Sequence, residues 1–133
     1  MRQQVTLYPH VEDFLNAAAT KLPLGILTNG NADVKKIGID KFFKCHFTSL
    51  DVKSNKPSSK HFKKAVEFFN VLPEEILHVG DDKIADISGC IRAGLNPLWF
   101  NNKSNEWDLD LEEPPQISSW ENALEYIEQN YEF

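Results

Sequence analysis

The sequence predicts an α/β protein: a doubly wound parallel sheet with helices on both faces. Three observations carry this. Short runs that read as strands, at residues 24–28, 45–49, 76–79 and 98–100, alternate with stretches of helical periodicity. Those at 24–28, 76–79 and 98–100 are mostly apolar, as strands covered on both sides must be. Turn-forming residues such as Asn29-Gly30-Asn31 and Gly80-Asp81-Asp82 close two of the runs.

Each element has its own reason. Val11, Phe14, Leu15, Ala18, Ala19 and Leu22 share one face of a predicted helix over 11–21, and Pro23 stops it. The first strand, 24–28, follows. Asn31 would cap a short helix over 32–37. After the strand at 45–49, residues 53–57 are polar loop. Phe62, Ala65, Val66 and Phe69 mark a helix over 59–69. Beyond the strand at 76–79, Ile84, Ile87, Cys90 and Ile91 mark another helix, which Gly94 ends. The strand at 98–100 leads into an acidic loop over 101–116. Ser118-Ser119-Trp120-Glu121 has the form of a capping box opening a last helix over 119–130.

Composition narrows the function classes. The 133 residues carry a net charge of −6, which argues against nucleic acid or an anionic membrane as partner. No run approaches the ~18 apolar residues of a membrane span, and MRQQVTLYPH lacks the sections of a signal peptide. Cys45 and Cys90 form no CxxC pair. They are expected to be buried thiols in a cytoplasmic protein.

In parallel α/β sheets, ligands sit beyond the carboxyl ends of the strands. Thr28, Asp81 and Asp82 fall there, and Lys56 falls in a loop leading into a helix. Asp81, Asp82 and Asp86 place three carboxylates around one strand-to-helix turn, a hard oxygen set suited to Mg²⁺. One Asp alone would be only a favourable helix-terminus charge. Thr28 and the amides around Asn29 could hold a phosphate oxygen, and Lys56 could neutralise a phosphoryl group. Taken singly, a turn after a strand and a solvated lysine explain these two equally well. His10, His46, His61 and His78 make no ligand spacing, and His78, inside a strand, is read as structural.

The order strand-Thr28, loop-Lys56, strand-Gly80-Asp81-Asp82 with Asp86, then a helix ending Ala93-Gly94, resembles the haloacid dehalogenase (HAD) superfamily of phosphohydrolases. Thr28 matches its second motif, Lys56 its third, and Asp81 with Asp86 its fourth. The stretch Leu27-Thr28-Asn29-Gly30-Asn31-Ala32-Asp33 is similar to that of bacterial members acting on flavin mononucleotide and a riboflavin-pathway phosphate. The resemblance implies that Thr28, with Asn29 beside it, binds a phosphoryl oxygen and that Lys56 offsets charge on the phosphoryl group. It implies that Asp81 ligates Mg²⁺ and that Asp86 orients that shell. Asp82 is given no catalytic role.

The family's first motif, Asp-x-Asp-x-Thr, supplies the nucleophile that becomes an aspartyl-phosphate. It occurs nowhere in the 133 residues. Trp107-Asp108-Leu109-Asp110 contains Asp-x-Asp but follows a polar stretch and has no Thr, so it is expected to be surface loop. The resemblance thus implies one truncated core domain over 1–133, without a cap. It implies the C-terminal part of a Mg²⁺-dependent phosphohydrolase of a small phosphate ester, inactive alone and weak in Mg²⁺ binding. The first-motif strand would lie between the strands at 24–28 and 76–79. Without it, either those strands close up, giving the order second-first-third-fourth, or another chain covers the gap. Self-association through exposed strand edges is therefore expected.

Other classes fit less well. A phospho-receiver domain would place its acidic pair before its Thr and Lys, the reverse of the order here. No Gly-x-Gly-x-x-Gly follows a strand, against a dinucleotide fold. A non-catalytic binding or interaction module on the same fold is the alternative.

Overall fold

The computed structural model describes residues 10–27, 40–48 and 59–131. Helix α1 (Val11–Ala19) turns Leu15 and Ala18 inward and carries Glu12 and Asp13 in its first turn, where the helix dipole favours acids. Strand β1 (Gly25–Leu27) follows, then a 3₁₀ turn (Asp40–Phe42) and β2 (Cys45–Phe47). Helix α2 (Lys60–Phe69) buries Phe62 and Ala65 and ends at Asn70, whose left-handed backbone places its N–H on the Val66 carbonyl. Strand β3 (Leu77–Gly80) leads into a π-helical turn (Lys83–Ser88) that continues as α3 (Gly89–Ala93). Gly94 ends α3 at φ 88°, a conformation that favours glycine. Then come β4 (Asn96–Phe100), β5 (Gln116–Ile117) and α4 (Ala123–Asn130).

Every strand pairing among the described residues is parallel. β1 pairs with β2 in the register Gly25 to Cys45. β3 pairs with β4 in the register Gly80 to Trp99, and β4 pairs with β5 in the register Phe100 to Ile117. The strands form two separate sheets, β1-β2 and β3-β4-β5. Between them lies an apolar cavity of about 460 Å³, walled by β1 residues 25–27 and β3 residues 77–79 and flanked by Phe14, Leu15, Ala65 and Phe69. The strands have therefore not closed up in the order second-first-third-fourth, and among the described residues no strand pairing joins β1 to β3.

The core is divided to match. One cluster joins Leu98, Phe100 and Ile117 to Ala123 and Ile127 of α4. A second joins Leu15 to Phe42, and a third joins Phe62 of α2 to Cys90 and Leu95. Helices hold the halves together. Phe14 of α1 meets Trp120, just ahead of α4, with ring centroids 4.9 Å apart and planes tilted by 50°, and Leu27 of β1 packs into the Phe62 cluster.

Several expectations need correction. The helix expected after Gly80-Asp81-Asp82 opens as a π turn, because the Asp86 and Ile87 amides both reach back to the Asp82 carbonyl. The expected capping box does not form. The Ser119 hydroxyl instead accepts from the Glu121 amide, and α4 starts at Ala123 behind a left-handed Asn122. β5 begins at Gln116, the last residue of the expected loop, and a two-residue strand leaves no periodicity to detect. Cys90 is buried as expected, but Cys45 is only half-buried. The expected helix over 32–37, the loop over 53–57 and the candidate residues Thr28, Asn29 and Lys56 lie outside the described residues.

Candidate active site

The site begins where β3 ends. Gly80 is the last strand residue, and a Cβ there would stand 2.6 Å from Asp86 Oδ2. Only glycine lets the Asp86 carboxylate lie flat against the strand end. Asp86 is buried, at 7% exposure. Its Oδ2 accepts a hydrogen bond from the Asp82 amide at 3.2 Å, and His78 Nε2 stands 3.4 Å from its Oδ1. The His78 ring meets Phe62 edge-on at 5.0 Å, which makes this histidine part of the packing, as its place inside a strand predicts.

The three carboxylates of the turn are not equivalent. Asp82 Oδ1 accepts from the amides of Ile84 and Ala85 at 2.8 and 2.9 Å, so it caps the π turn. Its Oδ1 is taken up in that structural role. Asp86 is held inward by the contacts just given. Asp81 is exposed, and its carbonyl accepts from Trp99 Nε1 at 3.1 Å. Among the described residues no three His, Cys, Asp or Glu side chains group closely enough to hold a metal ion by themselves. The donor chemistry still suits Mg²⁺, which keeps most of its waters and takes one or two carboxylates. Asp81 would be the direct ligand and Asp86 the orienting one.

The charge of Asp86 reaches its neighbours. Burial, and then the nearby Asp86 carboxylate, push the Cys90 thiol up to about 12. On the outer side Lys83 Nζ donates to Asp108 Oδ1 at 2.7 Å and to the Glu106 carbonyl at 3.0 Å. The Trp107-Asp108-Leu109-Asp110 segment is thus surface loop, as expected, with Asp108 ion-paired and Trp107 half-buried against Trp99.

The family model described as haloacid dehalogenase-like hydrolase matches residues 1–100. The chain belongs to this family. Among HAD-like relatives it is 33% identical to the 5-amino-6-(5-phospho-D-ribitylamino)uracil phosphatase YigB of Escherichia coli over 114 residues, covering 83% of this chain and 48% of that protein. It is 38% identical to the glyceraldehyde 3-phosphate phosphatase of Pyrococcus furiosus, covering 67% of this chain and 40% of that protein. A 2-haloacid dehalogenase from Pseudomonas syringae superposes with a TM-score of 0.90 at 31% identity, over 95% of this chain and 55% of that one. The chain spans about half the length of the curated relatives it matches. HAD-like neighbours with phosphatase and dehalogenase names share this fold, so the fold alone does not choose between the two chemistries.

Of the site residues read from the sequence, the structure brings Asp81 and Asp86 to one strand end. Two contacts at the site leave no local signal in the sequence. Trp99 bonds Asp81 across 18 positions of the chain. The contact between His78 and Asp86 hides in the same way, across the strand–helix turn.

Proposed function

We propose that this chain is the C-terminal half of the core of a Mg²⁺-dependent phosphohydrolase. It would act on a small phosphate ester, such as flavin mononucleotide or a related sugar or nucleotide phosphate. The observation that supports this best is the turn after β3, where Gly80 admits the Asp86 carboxylate and leaves Asp81 exposed beside it. Relatives named as phosphatases support the reaction class.

Mg²⁺ bound at Asp81 would supply positive charge for a phosphoryl group. Thr28 and Asn29 would bind the phosphoryl oxygens, and Lys56 would neutralise the group and its attacker. Phosphoryl transfer depends chiefly on positioning and charge, which is what such residues provide. The nucleophile would be an Asp of an Asp-x-Asp-x-Thr motif, passing through an aspartyl-phosphate. The 133 residues hold no such motif, so the chain by itself is expected to turn over no phosphate ester.

Two assays test this. Purified chain with Mg²⁺ and p-nitrophenyl phosphate or flavin mononucleotide should show no turnover, and turnover lost in Asp81→Asn would refute inactivity. A chimaera joins the N-terminal half of the Escherichia coli relative to residues 10–133. It should hydrolyse phosphate esters and not 2-haloacids, and Asp81→Asn or Lys56→Met should abolish this. A folded chimaera without phosphatase activity would refute the reading.

A second reading rests on the division of the sheet, in which no strand pairing joins β1 to β3 among the described residues. Copies of the chain would associate through strand edges, as an interaction module would. Sedimentation equilibrium reports the mass directly, and a monomer at all concentrations counts against it.

A further inference from the structure

The geometry points to Trp99 as a positioning residue for Asp81, with the loop over 101–115 as the brace that holds it. The inference rests on the metal-site reading above. Trp99 is fully buried, and its register partner on β3 is Gly80, the residue before Asp81. From there its indole N–H reaches forward to the Asp81 carbonyl at 3.1 Å. The N–H of the same peptide unit, that of Asp82, donates to Asp86 Oδ2 at 3.2 Å. With the Trp99 bond the Asp81–Asp82 peptide plane is held at both ends, and with it the direction in which the Asp81 carboxylate leaves the chain.

The brace is built from independent contacts. Trp107 sets its ring edge-on to Trp99 at 5.6 Å and donates its own N–H to the Leu111 carbonyl at 2.7 Å. Buried Asn101 clasps the loop at its base. Its Oδ1 accepts from the Asn105 amide at 2.9 Å, and its Nδ2 donates to the Asn105 carbonyl and to Gln116 Oε1. Lys83, two residues beyond Asp81, is tied to the same loop through Asp108 and Glu106. The loop therefore grips the acidic turn from both sides, through Trp99 behind Asp81 and Lys83 ahead of it. Partners that orient a metal ligand typically matter about tenfold or more in metal affinity.

The test uses the chain as it is, with Mg²⁺ as the probe and no turnover. In a ¹⁵N-labelled sample the amides of Asp81 and Asp82 should shift on adding Mg²⁺. The Trp99 indole N–H should shift with the same midpoint, while that of Trp120 stays still. Trp99→Phe keeps an aromatic ring and removes the donor. It should weaken Mg²⁺ binding about tenfold and move the Asp81 carbonyl ¹³C resonance before any metal is added. If the Asp81 and Asp82 amides shift but the Trp99 indole does not, the positioning role is overturned and the metal site stands. An unchanged midpoint in Trp99→Phe has the same meaning. If no amide of the unaltered chain responds, the metal-site reading falls and the positioning role falls with it. The indole measurement needs no variant, so poor folding of Trp99→Phe does not block the test.

Discussion

At the scale of single residues, Gly80 and Asp86 are one unit. A methyl group at position 80 would collide with the buried Asp86 carboxylate. Gly80→Ala should cost about 1–3 kcal/mol in urea unfolding through overpacking. It should also abolish the Mg²⁺-induced shift of the Asp81 amide. The two cysteines should part company as well. Cys90, buried and pushed up to about 12, carries almost no thiolate at neutral pH, whereas Cys45 is half-buried. Burial raises the Cys45 thiol too, though a hydrogen bond at the Ile26 backbone offsets part of this. A thiol reagent at pH 8 should label Cys45 in the native protein and reach Cys90 only on unfolding. Equal labelling rates would contradict the packing around Cys90. Much at this scale was legible in advance: Asp81 and Asp86 announce themselves by residue type and spacing. The contacts of Trp99 with Asp81 and of His78 with Asp86 were not, because each joins a strand side chain to the turn after β3 and leaves no mark in local sequence.

At the scale of elements, what the sequence showed depended on length. α1 and α2 each span nine or ten residues with a clear apolar face, and both lie where periodicity places them. The turn at 83–88 carries the same apolar spacing as an α-helix, yet it is wound as a π turn. Asp82 caps it and two amides share one carbonyl, a backbone choice that side-chain pattern cannot encode. The loop over 101–115 is the element whose order depends most on charge. Lys83 holds the Asp108 carboxyl below its ordinary 3.8 by hydrogen bond and by charge. A lowered carboxyl contributes in full above its ordinary value, and the contribution is lost as the pH falls through the lowered one. The pair is exposed on the Asp108 side, so salt screens it as well. Trp107 emission should therefore move to longer wavelength as the pH drops below about 4, and Asp108→Asn should show the shifted spectrum already at neutral pH. A spectrum that ignores both changes would mean that the ion pair does not order the loop.

At the scale of the whole molecule, the parallel topology was legible and the division of the sheet was foreseen only as a choice between outcomes. Composition and periodicity report each strand's burial, not its neighbour. Only the three-dimensional arrangement shows β1 and β3 standing apart with about 460 Å³ between them. That space has a calorimetric consequence. Apolar walls that already meet water in the native state do not become newly hydrated on unfolding. The heat capacity of unfolding should then fall below the roughly 1.6–2.0 kcal/mol/K usual for 133 residues. The urea m-value should shrink in parallel. A lower heat capacity flattens the dependence of stability on temperature. The thermal transition of this chain should be broad and weakly curved, and anything that fills the space between β1 and β3 should sharpen it.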